Sequence, residues 1–253
     1  MSDPSREIFD HYQAYYEAKR LADEPLARVR ALHLDRLPRW IDRIPRDARI
    51  LDGGCATGYL LGLLRESGYT RLCGVDLSAE LAEAARHRLA GQVAIHQSDI
   101  RDFLAGTADG SFDVILFHHV LEHVAREHTV ALLREFRRCL APGGYLSVKV
   151  PNALSLAAGY ACFGDFTHVV HFNEKSLQQV MEAAGFSAGH CSLVLHPPQL
   201  FWSWRHAGRA LLRVLNRMRW HVNNGVHRML YRLVDVFPRP KVFESEIELL
   251  ARK

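Results

Sequence analysis

Cysteine is scarce and scattered: Cys55, Cys73, Cys139, Cys162 and Cys191 stand far apart in 253 residues, with no CxxC pair. A disulfide framework or a structural zinc site is therefore not expected, and a reducing compartment fits. No run reaches the ~18 uninterrupted apolar residues of a membrane-spanning helix. The start, Met1 to Glu7, lacks a basic stretch leading into an apolar one, so a secretory leader is not expected either. Acids are nearly missing from one stretch: residues 197–241 hold nine Lys/Arg and a single acid, Asp235. The local surplus of +8 exceeds the net charge of the whole chain, +4, so the basic character belongs to one segment. No RNA-binding motif accompanies it, and no nucleic-acid partner is expected. The expected location is the cytoplasm.

Against these absences, 48% of the residues are hydrophobic and 24% charged, a composition that supports a sizeable core. Residues 7–45 carry apolar and aromatic residues at helical spacing, among them Ile8, Tyr12, Tyr15, Tyr16, Leu26, Val29, Leu32 and Ile41. Short apolar strands and helices then alternate. Strands are expected at 49–53, 72–76, 93–96, 112–117, 145–150, 191–195 and 243–250. Helices are expected at 59–66, 79–89 (capped by Ser78), 129–140 and 174–184 (capped by Asn173). This order predicts an α/β fold with a mostly parallel sheet covered on both faces.

The constellation Asp52-Gly53-Gly54-Cys55-Ala56-Thr57-Gly58 lies where the first strand meets the first helix. Ligands of such sheets bind at the carboxyl ends of the strands, and small residues let them approach the backbone. The spacing is not the G-x-G-x-x-G of dinucleotide sites, because Cys55, Ala56 and Tyr59 occupy positions that pattern needs. Two acids follow at the next strand ends. Asp76, before Leu77 and Ser78, suits the ribose hydroxyls of a nucleoside. Asp99 suits an exocyclic adenine amine, with Ile100 stacking on the ring.

These stretches resemble the class I S-adenosylmethionine-dependent methyltransferases. The similarity continues through Phe112-Asp113-Val114-Ile115, Leu121-Glu122-His123-Val124 and Leu140-Ala141-Pro142-Gly143-Gly144, covering about residues 45–196 plus the last strand. It implies a Rossmann-like seven-stranded sheet with an antiparallel last strand. It implies S-adenosylmethionine as cofactor and S-adenosylhomocysteine as its product. Asp52, Gly54 and Gly58 would surround the methionine part, Asp76 would hold the ribose, and Asp99 and Ile100 the adenine; Ala56, Thr57, Leu77 and His118 are further cofactor-binding candidates, His118 through its backbone. The family usually has glycine where Ala56 stands, a change tolerable if the backbone there is not left-handed.

The resemblance places the acceptor side at the end of the fourth strand. Transfer to a hydroxyl calls for a general base, and histidine suits neutral pH. Catalytic candidates are His119, favoured by strand alternation, His123, and His168 with Asp165 as its partner. Asp165, Thr167 and His171, in the segment 164–172, are acceptor-side candidates; so is Tyr16, on an N-terminal lid with Tyr12, Tyr15, Lys19 and Arg20. Local packing explains each of these residues as well. His118, His119, Asp165, His168 and His171 could assemble a metal site if their loops converge, but no helical pair at ligand spacing demands one, and none is expected. The segment around 165–186 is similar, more loosely, to methyltransferases of polysaccharide and O-antigen biosynthesis.

The domain reading is an N-terminal helical lid at 1–45, a cofactor-binding core at 46–196, a basic helical insertion at 197–241 and the last core strand at 242–253. The insertion predicts two amphipathic helices separated by a turn at Asn223-Asn224-Gly225. Three roles compete for it: a cap packed on the sheet or on a twin subunit in a homodimer, peripheral contact with the inner membrane surface, or recognition of an anionic acceptor. The functional expectation is O-methylation of a sugar hydroxyl in a glycan or its lipid- or nucleotide-linked precursor. The alternatives are methylation of a quinone or other small metabolite, and a non-catalytic cofactor-binding scaffold.

Overall fold

The computed structural model of the chain describes residues 37, 39–156, 158–195, 207–233 and 242–253. The N-terminal candidates Tyr12, Tyr15, Tyr16, Lys19 and Arg20 lie outside them. The elements run β1 (Arg49–Gly53), α1 (Tyr59–Glu66), β2 (Arg71–Asp76), α2 (Ala79–Arg88), β3 (Ala94–Gln97), α3 (Ile100–Ala105) and β4 (Phe112–His118). They continue with α4 (Arg126–Cys139), β5 (Leu140–Pro151), α5 (Ala158–Phe163), α6 (Glu174–Ala183), β6 (Cys191–Val194), α7 (Ala207–Leu233) and β7 (Glu246–Arg252).

The seven strands form one sheet in the order β3-β2-β1-β4-β5-β7-β6. Pairings from β3 through β5 are parallel; β7 is antiparallel to both β5 and β6. This is the Rossmann-like α/β sheet expected from the sequence, antiparallel last strand included. Strand alternation sends neighbours to opposite faces, and both faces are buried. Leu51, Ile115 and Phe117 pack with Leu132, Leu133 and Phe136 of α4 and Leu177 and Met181 of α6. Ile50, Val114 and Leu116 pack with Leu61 and Leu64 of α1 and Ala82 and Ala85 of α2. Because β2 and β3 lie on one side of β1 and β4 on the other, the strand order reverses at β1. Ligands of doubly wound sheets bind at such a reversal.

Two local departures have physical causes. β5 begins at Leu140, five residues before the expected start, because Leu140 pairs with Phe112 while Ala141 to Gly144 loop out before Tyr145 pairs with Val114. The expected turn at Asn223-Asn224-Gly225 is absent: α7 runs unbroken through it. Trp220, Asn223, His227 and Tyr231 recur at helical spacing, and tertiary bonds hold them all. Trp220 Nε1 donates to Glu244 Oε1 (3.0 Å), Asn223 Nδ2 to the Phe243 carbonyl (3.1 Å) and Tyr231 Oη to the Leu154 carbonyl (3.1 Å). Buried His227 donates from Nδ1 to the Asn223 carbonyl and accepts the Leu156 amide at Nε2 (2.9 Å). Tertiary anchoring overrides the turn propensity of Asn-Gly. The opposite side of α7 exposes Leu215, Met218, Val222, Val226, Met229 and Leu233. Among the described residues, no helix is long and apolar enough to cross a membrane.

Candidate functional site

The glycine turn after β1 is held from both ends. The amides of Gly54 and Cys55 both donate to the Val75 carbonyl (2.7 and 3.0 Å), and the amide of Ala56 donates to Asp76 Oδ2 (2.8 Å). Gly54, Ala56 and Gly58 are all left-handed, with φ of 74°, 45° and 70°. Glycine takes that conformation freely; an L-side chain there is strained. Ala56 thus fails the condition on which its tolerance rested, and the Asp76 bond helps hold it in place. At Gly54 the constraint is also steric, since a Cβ would come within 2.3 Å of Val120 Cγ2.

Two carboxylates face this turn. Asp52, at the end of β1, is 3% exposed, and burial, aided by the charge of Asp76, pushes its pKa up to about 7. Burial also raises Asp76, although amides of Ser78 and Ala56 donate to its two oxygens and oppose the shift. A buried acid pair of this kind favours a cationic ligand. S-adenosylmethionine carries a sulfonium and an ammonium, so the donor set fits that cofactor. Leu77 is exposed beside the pair, while Thr57 is buried. Asp99 caps α3: it accepts the Arg101 amide (2.8 Å) and pairs with the Arg101 guanidinium (2.7 Å). Ile100 packs against the core beside it.

The sequence profile of the methyltransferase-domain family matches residues 20–190, about two thirds of the chain. The chain belongs to this family. It carries an S-adenosylmethionine-dependent methyltransferase domain of class I. A ubiquinone biosynthesis O-methyltransferase of Xanthomonas axonopodis pv. citri is 34% identical over 147 residues, 56% of this chain and 60% of that one. Its counterpart in Xanthomonas campestris pv. campestris strain B100 is 32% identical over 146 residues. The match thus spans about 60% of the length of these relatives. Among solved structures, a methyltransferase of Archaeoglobus fulgidus superposes with a TM-score of 0.64 at 21% identity, covering 96% of this chain and all of that one. A phosphoethanolamine N-methyltransferase of Haemonchus contortus, solved with S-adenosylmethionine, has a TM-score of 0.55 at 15% identity and covers 85% of this chain and 51% of that one. The last two likenesses show the shared fold.

The methyltransferase domain places its histidines unequally on the acceptor side. His118 ends β4, and its Nε2 bonds Ser147 Oγ (2.8 Å); Ser147 donates to Glu248 (2.8 Å), which also accepts from Trp40 Nε1 (2.9 Å). Burial pushes the His118 pKa down to about 4. Its ring is a neutral link in a buried hydrogen-bond chain. His119 lies beyond the strand at φ 57°, outside the alternation that favoured it. Burial disfavours its charge, but Glu122 (3.6 Å) and Glu246 (3.4 Å) outweigh that and raise its pKa to about 9. With 42% of the side chain accessible, solvent screens these pairs. Both carboxylates favour the imidazolium form, which lacks the lone pair a base needs.

His123 and His168 meet edge to face, ring centres 4.7 Å apart, although 44 residues separate His123 from the Thr167 beside it. Asp165 is not the side-chain partner of His168. Its Oδ1 accepts from the Thr167 amide (2.9 Å) and hydroxyl (2.7 Å). Since Thr167 gives its proton to Asp165, its oxygen accepts from His123 Nδ1 (2.7 Å). Burial lowers the His123 pKa; burial raises Asp165, but the bonds from Thr167 outweigh it and leave Asp165 below the usual carboxylate range. His168 donates from Nδ1 to the Cys162 carbonyl (3.0 Å) and turns Nε2 toward Glu122 Oε1 (3.9 Å). His171 packs against Phe163 instead.

Glu122 was not singled out by sequence reasoning. Its backbone carbonyl anchors the amides of Val169 and Val170, docking the segment that carries His168. Its side chain is 3% exposed, and neither oxygen accepts a hydrogen bond among the described residues. The only signal was its place beside His123 in the Leu121–Val124 stretch.

Proposed function

We propose that this protein transfers the methyl group of S-adenosylmethionine to a hydroxyl of a small-molecule acceptor. The observation that carries the reading is the cluster of Glu122, His123 and His168 beyond the end of β4, beside the glycine turn's side of the sheet. The cofactor supplies a methyl group already activated on a sulfonium. The chain must align the acceptor, exclude water and deal with the hydroxyl proton. Asp52, Gly54, Ala56, Thr57 and Gly58 are assigned to the methionine part, Asp76 and Leu77 to the ribose, Asp99 and Ile100 to the adenine, and the His118 backbone to the cofactor's edge. His119 is held toward its protonated form by Glu122 and Glu246. We assign activation of the hydroxyl to His168 and Glu122, and positioning of His123 to Asp165 and Thr167.

The Xanthomonas relatives favour a phenolic quinone precursor as acceptor. A sugar hydroxyl is the second reading, supported by the likeness of the 165–186 segment to glycan-modifying methyltransferases. Incubating the purified protein with methyl-labelled cofactor and either a dihydroxybenzoate or a nucleotide sugar separates them by which product carries label. In the active assay, His168→Ala is expected to cut turnover at least 100-fold while S-adenosylhomocysteine affinity changes less than twofold. Full turnover in that variant removes His168 from the mechanism. Cofactor binding without transfer to any hydroxyl favours a scaffold.

The outer face of α7 supports a proposal about location. Its apolar stripe lies beside exposed Arg219, Arg228 and Arg232, and the helix has no acidic residue. Such a face suits the anionic surface of a membrane. Salt-sensitive co-sedimentation with phosphatidylglycerol vesicles is expected. A stable dimer in light scattering, with no vesicle binding, assigns the stripe to a twin subunit instead.

A further inference from the structure

The orphaned carboxylate of Glu122 sits where two imidazoles converge. Glu122, His123 and His168 each offer a ligand atom, all within 4.8 Å of one another. The hydrogen bonds fix which nitrogen each ring presents. His168 gives its Nδ1 proton to the Cys162 carbonyl, so its neutral form turns the Nε2 lone pair toward the Glu122 oxygen, 3.9 Å away. His123 gives its Nδ1 proton to Thr167, which hands its own on to Asp165. A carbonyl behind His168, and behind His123 a hydroxyl backed by the Asp165 carboxylate, orient the two rings as outer-shell partners orient metal-binding histidines. Two facing electron pairs in a buried site need a positive charge between them. His119 lies 3.6 Å from the same Glu122 oxygen, beyond hydrogen-bond reach, and offsets that charge without satisfying the carboxylate.

We propose that Glu122, His123 and His168 bind one first-row divalent cation on the acceptor side of the domain. Ion-to-ligand bonds of ~2.1 Å place two ligand atoms ~3.4 Å apart at a tetrahedral angle, so the 3.9 Å gap between His168 and Glu122 closes with a shift of about half an ångström, and a separation at the cluster's outer bound of 4.8 Å with about 1.4 Å. Two imidazoles and one carboxylate favour zinc, cobalt, iron or manganese over calcium or magnesium. Three protein ligands leave a position open, the arrangement of ions that act on a bound oxygen. An acceptor hydroxyl coordinated there becomes more acidic and loses its proton to solvent before attack. That role rests on the hydroxyl-acceptor reading; the site itself does not.

The test uses the full chain, stripped with chelator and titrated with Co2+ and Zn2+. One ion per chain is expected. Glu122→Gln and His168→Ala should each weaken binding by more than ~100-fold, beyond the 10–100-fold effect of losing an outer-shell partner. His128→Ala, at an exposed histidine elsewhere, should leave binding unchanged. Unaltered affinity in both cluster variants, or no stoichiometric binding, overturns the proposal. Should the variants fail to fold, zinc-edge X-ray absorption on the wild type decides: two imidazoles and oxygen support the site, and thiolate ligands refute it. None of these readouts needs an acceptor. A chain that binds the ion but methylates no hydroxyl keeps the site and loses the proposed function; one that methylates without binding does the reverse.

Discussion

Replacing Asp52 by asparagine tests the buried acid pair directly. In the folded protein Asp52 is raised from 3.8 to about 7, so its neutral form is favoured there. The sign follows: the apo fold is least penalised below pH 3.8, loses stability as pH rises toward 7, and carries the full penalty above it. At 1.36 kcal/mol per pKa unit, the full penalty is about 4 kcal/mol, and more than half of it, roughly 2–3 kcal/mol, develops between pH 5 and 8. The asparagine amide cannot ionise, so the stability of Asp52→Asn relative to wild type should grow by that amount over the same window. Urea unfolding of both proteins without cofactor, at unit pH steps, measures it. Parallel pH profiles would refute the reasoning. The same ionisation should make S-adenosylmethionine bind more tightly as pH rises, by up to tenfold per unit below 7, and Asp52→Asn should abolish that slope along with most of the affinity.

Ala56→Gly removes a side chain from a left-handed backbone and should stabilise the apo protein by about 1 kcal/mol in urea unfolding. Gly54→Ala puts a Cβ 2.3 Å from Val120 Cγ2 at positive φ; it should cost about 3 kcal/mol and weaken S-adenosylhomocysteine binding measured by calorimetry. A Cβ at Gly225 meets nothing within 4 Å, so Gly225→Ala should raise stability by about 0.5–1 kcal/mol, seen as a higher melting temperature.

The sheet was legible in the sequence because its signals are local. Ile50-Leu51 and Val114 to Phe117 are apolar without a break, as strands buried on both faces must be. Asp52 and Asp76 stood out because each lies at the carboxyl end of its own strand. What escaped depends on contacts between distant parts of the chain. Asn223-Asn224-Gly225 reads as a turn until Phe243 and Leu156 supply partners along the helix. His119 looked like a base because Glu246, more than 120 residues on, is invisible from its neighbours. Asp165 looked like the partner of His168, but Thr167 intercepts it and passes the bond to His123. Glu122 carries no periodic signal; its burial becomes visible only once the segment carrying Val169 and Val170 folds onto it.

The grip of α7 on the chain leading into β7 has a spatial consequence. Trp220 and Asn223 hold Glu244 and Phe243; two residues past Glu244, Glu246 opens β7 and binds both Lys149 and His119. One helix and a short tether therefore join the outward apolar stripe to the recess around His119: a partner seated on that stripe would lie a single helix width and two residues of chain from the carboxylate that pairs with Lys149 and His119.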